Sequence, residues 1–204
     1  MTQHIWKSNR QTITNAIGAG AICLLLASCV SFGAKAPPSL LILTASQTVA
    51  AGTVKSGDLS AALVVLMPDV PRVLDTNRVP VQINSSSVAY LKDAVWSDKP
   101  ARLMQLLLSE TIAAKNGRLI LSEVDAGGKA QQYLSGSVSE FGIDASRNEA
   151  IAVYDAVKLV RGKQAEKRRF EARRPVSSIE PAAAGSALNL AANDIAGQVA
   201  DWMK

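Results

Sequence analysis

The side chains best suited to covalent or metal chemistry are scarce in this chain of 204 residues: one histidine, His4, and two cysteines, Cys23 and Cys29. Cys29 closes the stretch Leu26-Ala27-Ser28-Cys29, at the end of an apolar run over residues 16–26. Ahead of that run stand His4, Lys7 and Arg10, and no acidic residue occurs before Asp58. A charged start followed by about 11 apolar residues is the layout of a secretory signal. A membrane-spanning helix needs about 20 apolar residues, and Gly33, Lys35 and Pro37 close this run too early. A core helix would carry an apolar stripe, whereas residues 17–26 are apolar all round. A plain secretory signal and an uncleaved anchor are the alternatives to cleavage at the cysteine.

A leucine, two small residues and a cysteine in this order resemble a bacterial lipobox. The resemblance implies cleavage between Ser28 and Cys29, diacylglycerol on the Cys29 sulfur and an acyl chain on the new N-terminus. No cofactor beyond those covalent groups is expected. One acyl chain binds a membrane marginally, at about 0.8 kcal/mol per buried methylene, and stable anchoring takes two signals. Three chains would hold the protein permanently. Val30 follows Cys29 where an aspartate would stand in the inner-membrane-retained class, so the expected location is the periplasmic face of the outer membrane.

Cleavage would discard His4 and Cys23 and leave Cys29 capped. The remainder then has no means of building a Ser-His-Asp or Cys-His site, or a zinc site with His or Cys ligands. It also has no disulfide, although the export route permits them. The formal charge is +5; without Lys7 and Arg10, 20 basic side chains face 17 acidic ones, a net +3. That is too mild for a nucleic-acid partner and compatible with anionic lipid headgroups. Carboxylate or lysine chemistry is the only enzymatic route left, and the expectation is a protein that is not an enzyme.

The elements that must carry any site follow from hydropathy. The spacing divides the chain into a signal (1–28), a short tether (29–38) with Pro37-Pro38, and one folded domain (39–204), about the size of a single core. The runs 40–43 and 61–67 read as buried strands, with a loop between them. Residues 78–83 alternate in period two, and 88–91 form another short strand. Asp98 and Pro100 suit the start of a helix, with Leu103, Leu106, Leu107, Glu110 and Ala114 on one face and Met104, Leu108 and Thr111 widening it. Asn116-Gly117 is its stop. Residues 119–121 read as a strand and Gly127-Gly128-Lys129 as a hairpin turn. Residues 132–143, 150–160 and 164–176 form an antiparallel meander. Pro181 opens a helix with Leu188, Ala191, Ala192, Ile195, Val199 and Trp202 on one stripe. The class expected is α/β: a single domain with a mixed or antiparallel sheet packed against two principal helices.

Pro71-Arg72-Val73-Leu74-Asp75-Thr76-Asn77-Arg78-Val79-Pro80-Val81 and the block from Tyr90 to Leu103, with Asp93, Trp96, Asp98 and Pro100, resemble the ABC-type transport auxiliary lipoprotein family. Phe170-Glu171-Ala172-Arg173 with Pro175-Val176, and the closing helix with Ala187-Leu188-Asn189, support the resemblance. It implies a periplasmic lipoprotein that assists an ABC permease and ATPase and an MCE-domain protein in moving phospholipid or other hydrophobic molecules. It also implies, in some members, a homo-oligomeric ring. A structural envelope lipoprotein that binds another envelope protein or a glycan is the rival reading.

Two further groups have competing explanations. Tyr90, Asp93 and Trp96 form either a partner surface with Trp96 as aromatic anchor, or a packed loop in which Trp96 is core and Asp98 caps the helix. Packing is the simpler account. Lys167, Arg169 and Arg173 belong to a basic run that either faces anionic headgroups or decorates a solvated edge strand. The edge strand is again simpler. Asp93 with Asp98, and Glu140 with Asp144, have spacings that predict no shared carboxylate site.

Overall fold

A computed structural model describes residues 39–204. The signal, Cys29 and the tether fall outside the described residues. In chain order the elements are strands β1 (Ser39–Leu41), β2 (Leu63–Val65), β3 (Pro80–Asn84), β4 (Ser87–Tyr90) and β5 (Ala94–Trp96), and helix α1 (Pro100–Asn116). Then come strand β6 (Ile120–Leu121), the one-turn helix α2 (Glu123–Ala126), strands β7 (Gln132–Asp144), β8 (Glu149–Val160) and β9 (Glu166–Pro175), and helix α3 (Pro181–Trp202).

The meander of β7, β8 and β9 is the backbone of a seven-stranded mixed sheet, antiparallel from Gln132↔Val160 through Tyr154↔Phe170. β7 is long enough to take two partners on its other edge. β2 lies parallel to its first residues and β3 parallel to its last. β6 then adds beside β2, and β4 beside β3. A bulge between Val138 and Glu140 shifts the β7–β8 register. At Gly136 the strands come so close that a Cβ would sit 2.1 Å from the Asp155 carbonyl oxygen, and φ is +144°. Only glycine fits there.

One face of this sheet is covered. Ala150, Ala152, Tyr154 and Ala156 of β8 and Phe170 and Ala172 of β9 join one core with Ala184, Ala187, Leu188, Ala191, Ala192, Ile195 and Val199 of α3. The alanines on both sides let the helix lie close to the sheet, and Trp202 closes its end against Phe170 at 5.7 Å between ring centroids. α1 packs beside α3 and buries Leu103, Met104, Leu107, Leu108, Thr111 and Ile112. This is the mixed-sheet α/β architecture read from the hydropathy pattern, with two principal helices and a short third.

Several local expectations are corrected. The run at 40–43 is not a buried strand: β1 pairs only with β5, in a separate two-stranded parallel sheet, and Leu40 and Ile42 are each 60% exposed. Leu106 is 49% exposed, because the buried stripe of α1 advances through 103/104, 107/108 and 111/112. Lys99, not Asp98, occupies the N-cap, and the Asp98 carboxylate accepts from the Lys99 amide at 2.7 Å. Gly127 ends α2 in the left-handed region, φ 53°, instead of turning a hairpin, because β6 and β7 flank β2 on opposite sides and do not pair with each other. Gly117 does close α1 as read, with φ 66°.

Candidate functional site

The first described contacts after the tether show where the chain joins its domain. The Leu41 side chain packs over Gly185 near the start of α3, where a Cβ would lie 2.8 Å from Leu41 Cδ2. Asn189 and Asn193, one helical turn apart, then act as a substitute strand. The Asn189 Oδ1 accepts from the Thr44 amide at 2.8 Å, and the Asn193 Oδ1 accepts from the Ser46 amide at 2.7 Å. The Asn193 side chain also donates to the Thr44 carbonyl at 2.9 Å. A loop that would otherwise expose unpaired main-chain groups is thereby held to α3.

The Tyr90, Asp93 and Trp96 group does not form a surface. Trp96 is fully buried, stacked on Phe141 at 5.3 Å and 22°. Its indole Nε1 is enclosed without a hydrogen-bond partner. Tyr90 is half-buried, with the Arg78 guanidinium 4.1 Å above its ring. Asp93 is exposed in a left-handed turn, φ 56°. The first is core and the other two are rim, so an anchor at Trp96 has no access to a partner.

On β9, side chains alternate between the helices and the open face. Phe170 and Ala172 point inward; Lys167, Arg169, Glu171 and Arg173 share the other side. Arg169 grips Asp155 of β8 through Nε at 2.8 Å and Nη2 at 2.7 Å. The Asp155 carboxylate is buried at 8% exposure, and that grip, ahead of every other influence, holds its pKa below the ordinary carboxylate value. Arg173 donates to Glu171 at 2.7 Å and approaches Glu149 at 3.5 Å. Two of the three residues expected to meet headgroups are therefore neutralised within the sheet. Lys167 is exposed, and no ion pair to it occurs among the described residues. The solvated edge-strand reading fits this geometry better, with the charges also guarding the unpaired edge of β9.

Residues 43–200 match the family model for the ABC-type transport auxiliary lipoprotein component. The chain belongs to that family. Two solved structures share the fold. One, described only as an uncharacterised protein, is 16% identical with a TM-score of 0.64, over 74% of this chain and 97% of its own. The other, a Xanthomonas campestris protein assigned to the family DUF330, is 19% identical with a TM-score of 0.62, over 81% of this chain and 94% of its own. No curated protein matches the sequence.

Two open cavities mark the described surface of this auxiliary lipoprotein. The first, about 590 Å³, runs along the exposed side of α3 beside β9 and is lined by both signs of charge, including Arg174, Asp194 and Asp201. Arg174 and Asp194 already form a double hydrogen bond there, each arm 2.6 Å. The second, about 670 Å³, lies at the far end of α3 and is lined by Lys115, Arg118, Lys158, Lys163 and Lys204. Sequence reading missed it because its residues come from four separate stretches of the chain. Among the described residues no group of three or more histidine, cysteine, aspartate or glutamate side chains is placed to hold a metal. Among them, too, no helix is long and apolar enough to cross a membrane.

Proposed function

We propose that the chain is a non-enzymatic auxiliary component of an MCE-type ABC transport system, held at the periplasmic face of the outer membrane by acyl groups on Cys29. Its role is to assist the movement of phospholipid or another hydrophobic molecule across the envelope. The family match over residues 43–200, preceded in the same chain by Leu26-Ala27-Ser28-Cys29, carries this reading. The arrangement of side chains agrees with it. The carboxylates with clearly depressed pKa values among the described residues, Asp144, Asp155 and Asp201 with exposed Asp58, each bond a neighbouring hydroxyl, amide or cation. None is poised for proton transfer near neutral pH. The partners on this reading are an MCE-domain protein and the ABC permease and ATPase.

Affinity purification of the tagged full-length protein from membranes solubilised in mild detergent tests the reading. Recovery of an MCE-domain protein or an ABC permease with it supports the transport role. Recovery of cell-wall-binding proteins without either would move the assignment to a structural envelope lipoprotein.

A further inference from the structure

The second cavity gathers more cations than there are carboxylates beside it. Asp201 serves Lys115 at 2.6 Å and Lys204 at 2.8 Å, and Glu166 stands 3.9 Å from Lys158. Those two carboxylates face five cations, and a main-chain carboxylate at Lys204 would still leave the cations in excess. Helix ends explain part of the cluster. Lys115 donates to the Gly197 carbonyl at 3.2 Å, Asn116 to Ala200 at 2.7 Å and Arg118 to Met203 at 3.0 Å, and so they satisfy the last carbonyls of α3.

Helix ends do not explain Lys158 or Lys163, nor the unbalanced charge of Arg118. Lys158 projects from β8, 5.8 Å from the Trp202 ring, and Lys163 lies in the β8–β9 turn with no ion pair among the described residues. Arg118 has only neutral acceptors: the Met203 and Ala61 carbonyls and the Gln132 side chain, at 3.0, 3.3 and 2.7 Å. Its burial pulls its pKa below the ordinary guanidinium value. Like charges gathered without matching carboxylates repel one another and raise the local potential. A bound anion would offset that repulsion, and guanidinium and ammonium groups together suit the charge of a phosphate group.

We infer that the cavity between Arg118, Lys158 and Lys163 binds a phosphate-bearing ligand, either free phosphate or the phosphate of a lipid headgroup. The site is about 27 Å along α3 from Gly185, where the chain joins its domain, given 1.5 Å of rise per residue. It is therefore well separated from the point where the tether attaches. The inference rests on the charge of the cavity and stands apart from the transport assignment.

The test uses the purified full-length protein in non-ionic detergent, titrated with inorganic phosphate, glycerol 3-phosphate and dihexanoyl phosphatidylglycerol and followed by calorimetry and phosphorus NMR. The expected result is saturable binding that weakens with salt. Lys158→Gln with Lys163→Gln should weaken it at least tenfold, and Lys158→Arg with Lys163→Arg should restore it. Lys163 is exposed, whereas the Lys158 side chain is only 18% exposed beside Trp202. A thermal melt of each variant therefore checks the fold, and Lys163→Gln alone, which should also weaken binding, repeats the test without touching a buried side chain. Equal affinity for the three probes identifies the phosphate group alone as the ligand. Binding of the lipid at least tenfold tighter identifies a headgroup with its glycerol and chains. Absence of saturable binding of any probe at millimolar concentration, or binding unchanged in the glutamine variant, overturns the inference.

Discussion

Trp96 combines the largest buried side chain of the core with a polar atom that has no partner. Its ring fills the space between β5 and Phe141, so truncation leaves both a cavity and an unsupported aromatic face. Trp96→Ala should lower unfolding free energy by about 3–5 kcal/mol, read as a shift in urea midpoint. Trp96→Phe keeps a ring against Phe141 and removes the enclosed N–H, so it should cost distinctly less. Equal losses for the two variants would show that packing against Phe141 is not what Trp96 contributes. Tyr154 shows the opposite solution to the same problem. Burial raises its pKa, and its hydroxyl donates to the Ser135 carbonyl at 2.8 Å. A buried polar atom that is bonded stabilises the fold, and one that is not costs about 1–3 kcal/mol.

Between strands, the Asp155–Arg169 pair ties β8 to β9 on the open face, and its sign with pH follows from the depressed carboxylate. A carboxylate with a folded-state pKa below the unfolded value of about 3.9 contributes its full stability above that value. It loses it as pH falls through the lower folded value. Asp144 and Asp201 act in the same direction, Asp144 chiefly through the Ser146 hydroxyl and Asp201 chiefly through Lys115. Stability should therefore fall below about pH 4. Asp155→Asn should lie about 1 kcal/mol lower at pH 7, because Arg169 is 64% exposed and water screens the pair. It should also show a shallower fall in acid. Thermal melts from pH 7 to pH 2 check both, and parallel curves for the two proteins would contradict the assignment.

Elements with many repeats of their period were legible in the sequence. The meander spans 13, 12 and 10 residues in its three strands, and α3 spans 22. Over such lengths the in–out alternation or the i, i+3, i+4 stripe outweighs chance. Short elements were not. β1 has three residues, too few to separate a buried run from an edge strand exposed on alternate sides, and α2 has four. At Asp98 composition misled by one position: a good capping residue sits beside the cap, while Lys99 occupies it. Of the candidate sites, the edge character of β9 was readable from its charges, but the pairing of Arg169 with Asp155 was not. That partner sits 14 residues away, in a register set by the hairpin. The basic cavity left no linear trace because folding alone brings residues 115, 118, 158, 163 and 204 together.

At the scale of the whole molecule, the chain belongs to a family of transport auxiliary lipoproteins, and its reactive residues are concentrated before the folded domain. The ten Cα–Cα steps from Cys29 to Ser39 reach at most about 35 Å when extended, so a lipid on Cys29 would keep the domain within about one domain diameter of the membrane. On the function proposed above, binding and position are the means by which the domain acts. Cys29 is the single residue on which that account depends. Its most direct measurement is metabolic labelling with an alkyne fatty acid, comparing the native protein with Cys29→Ala and separating membrane from soluble fractions. The account predicts label and membrane retention for the native protein and loss of both in Cys29→Ala. A Cys29→Ala protein that still takes up label and stays with the membrane would contradict it.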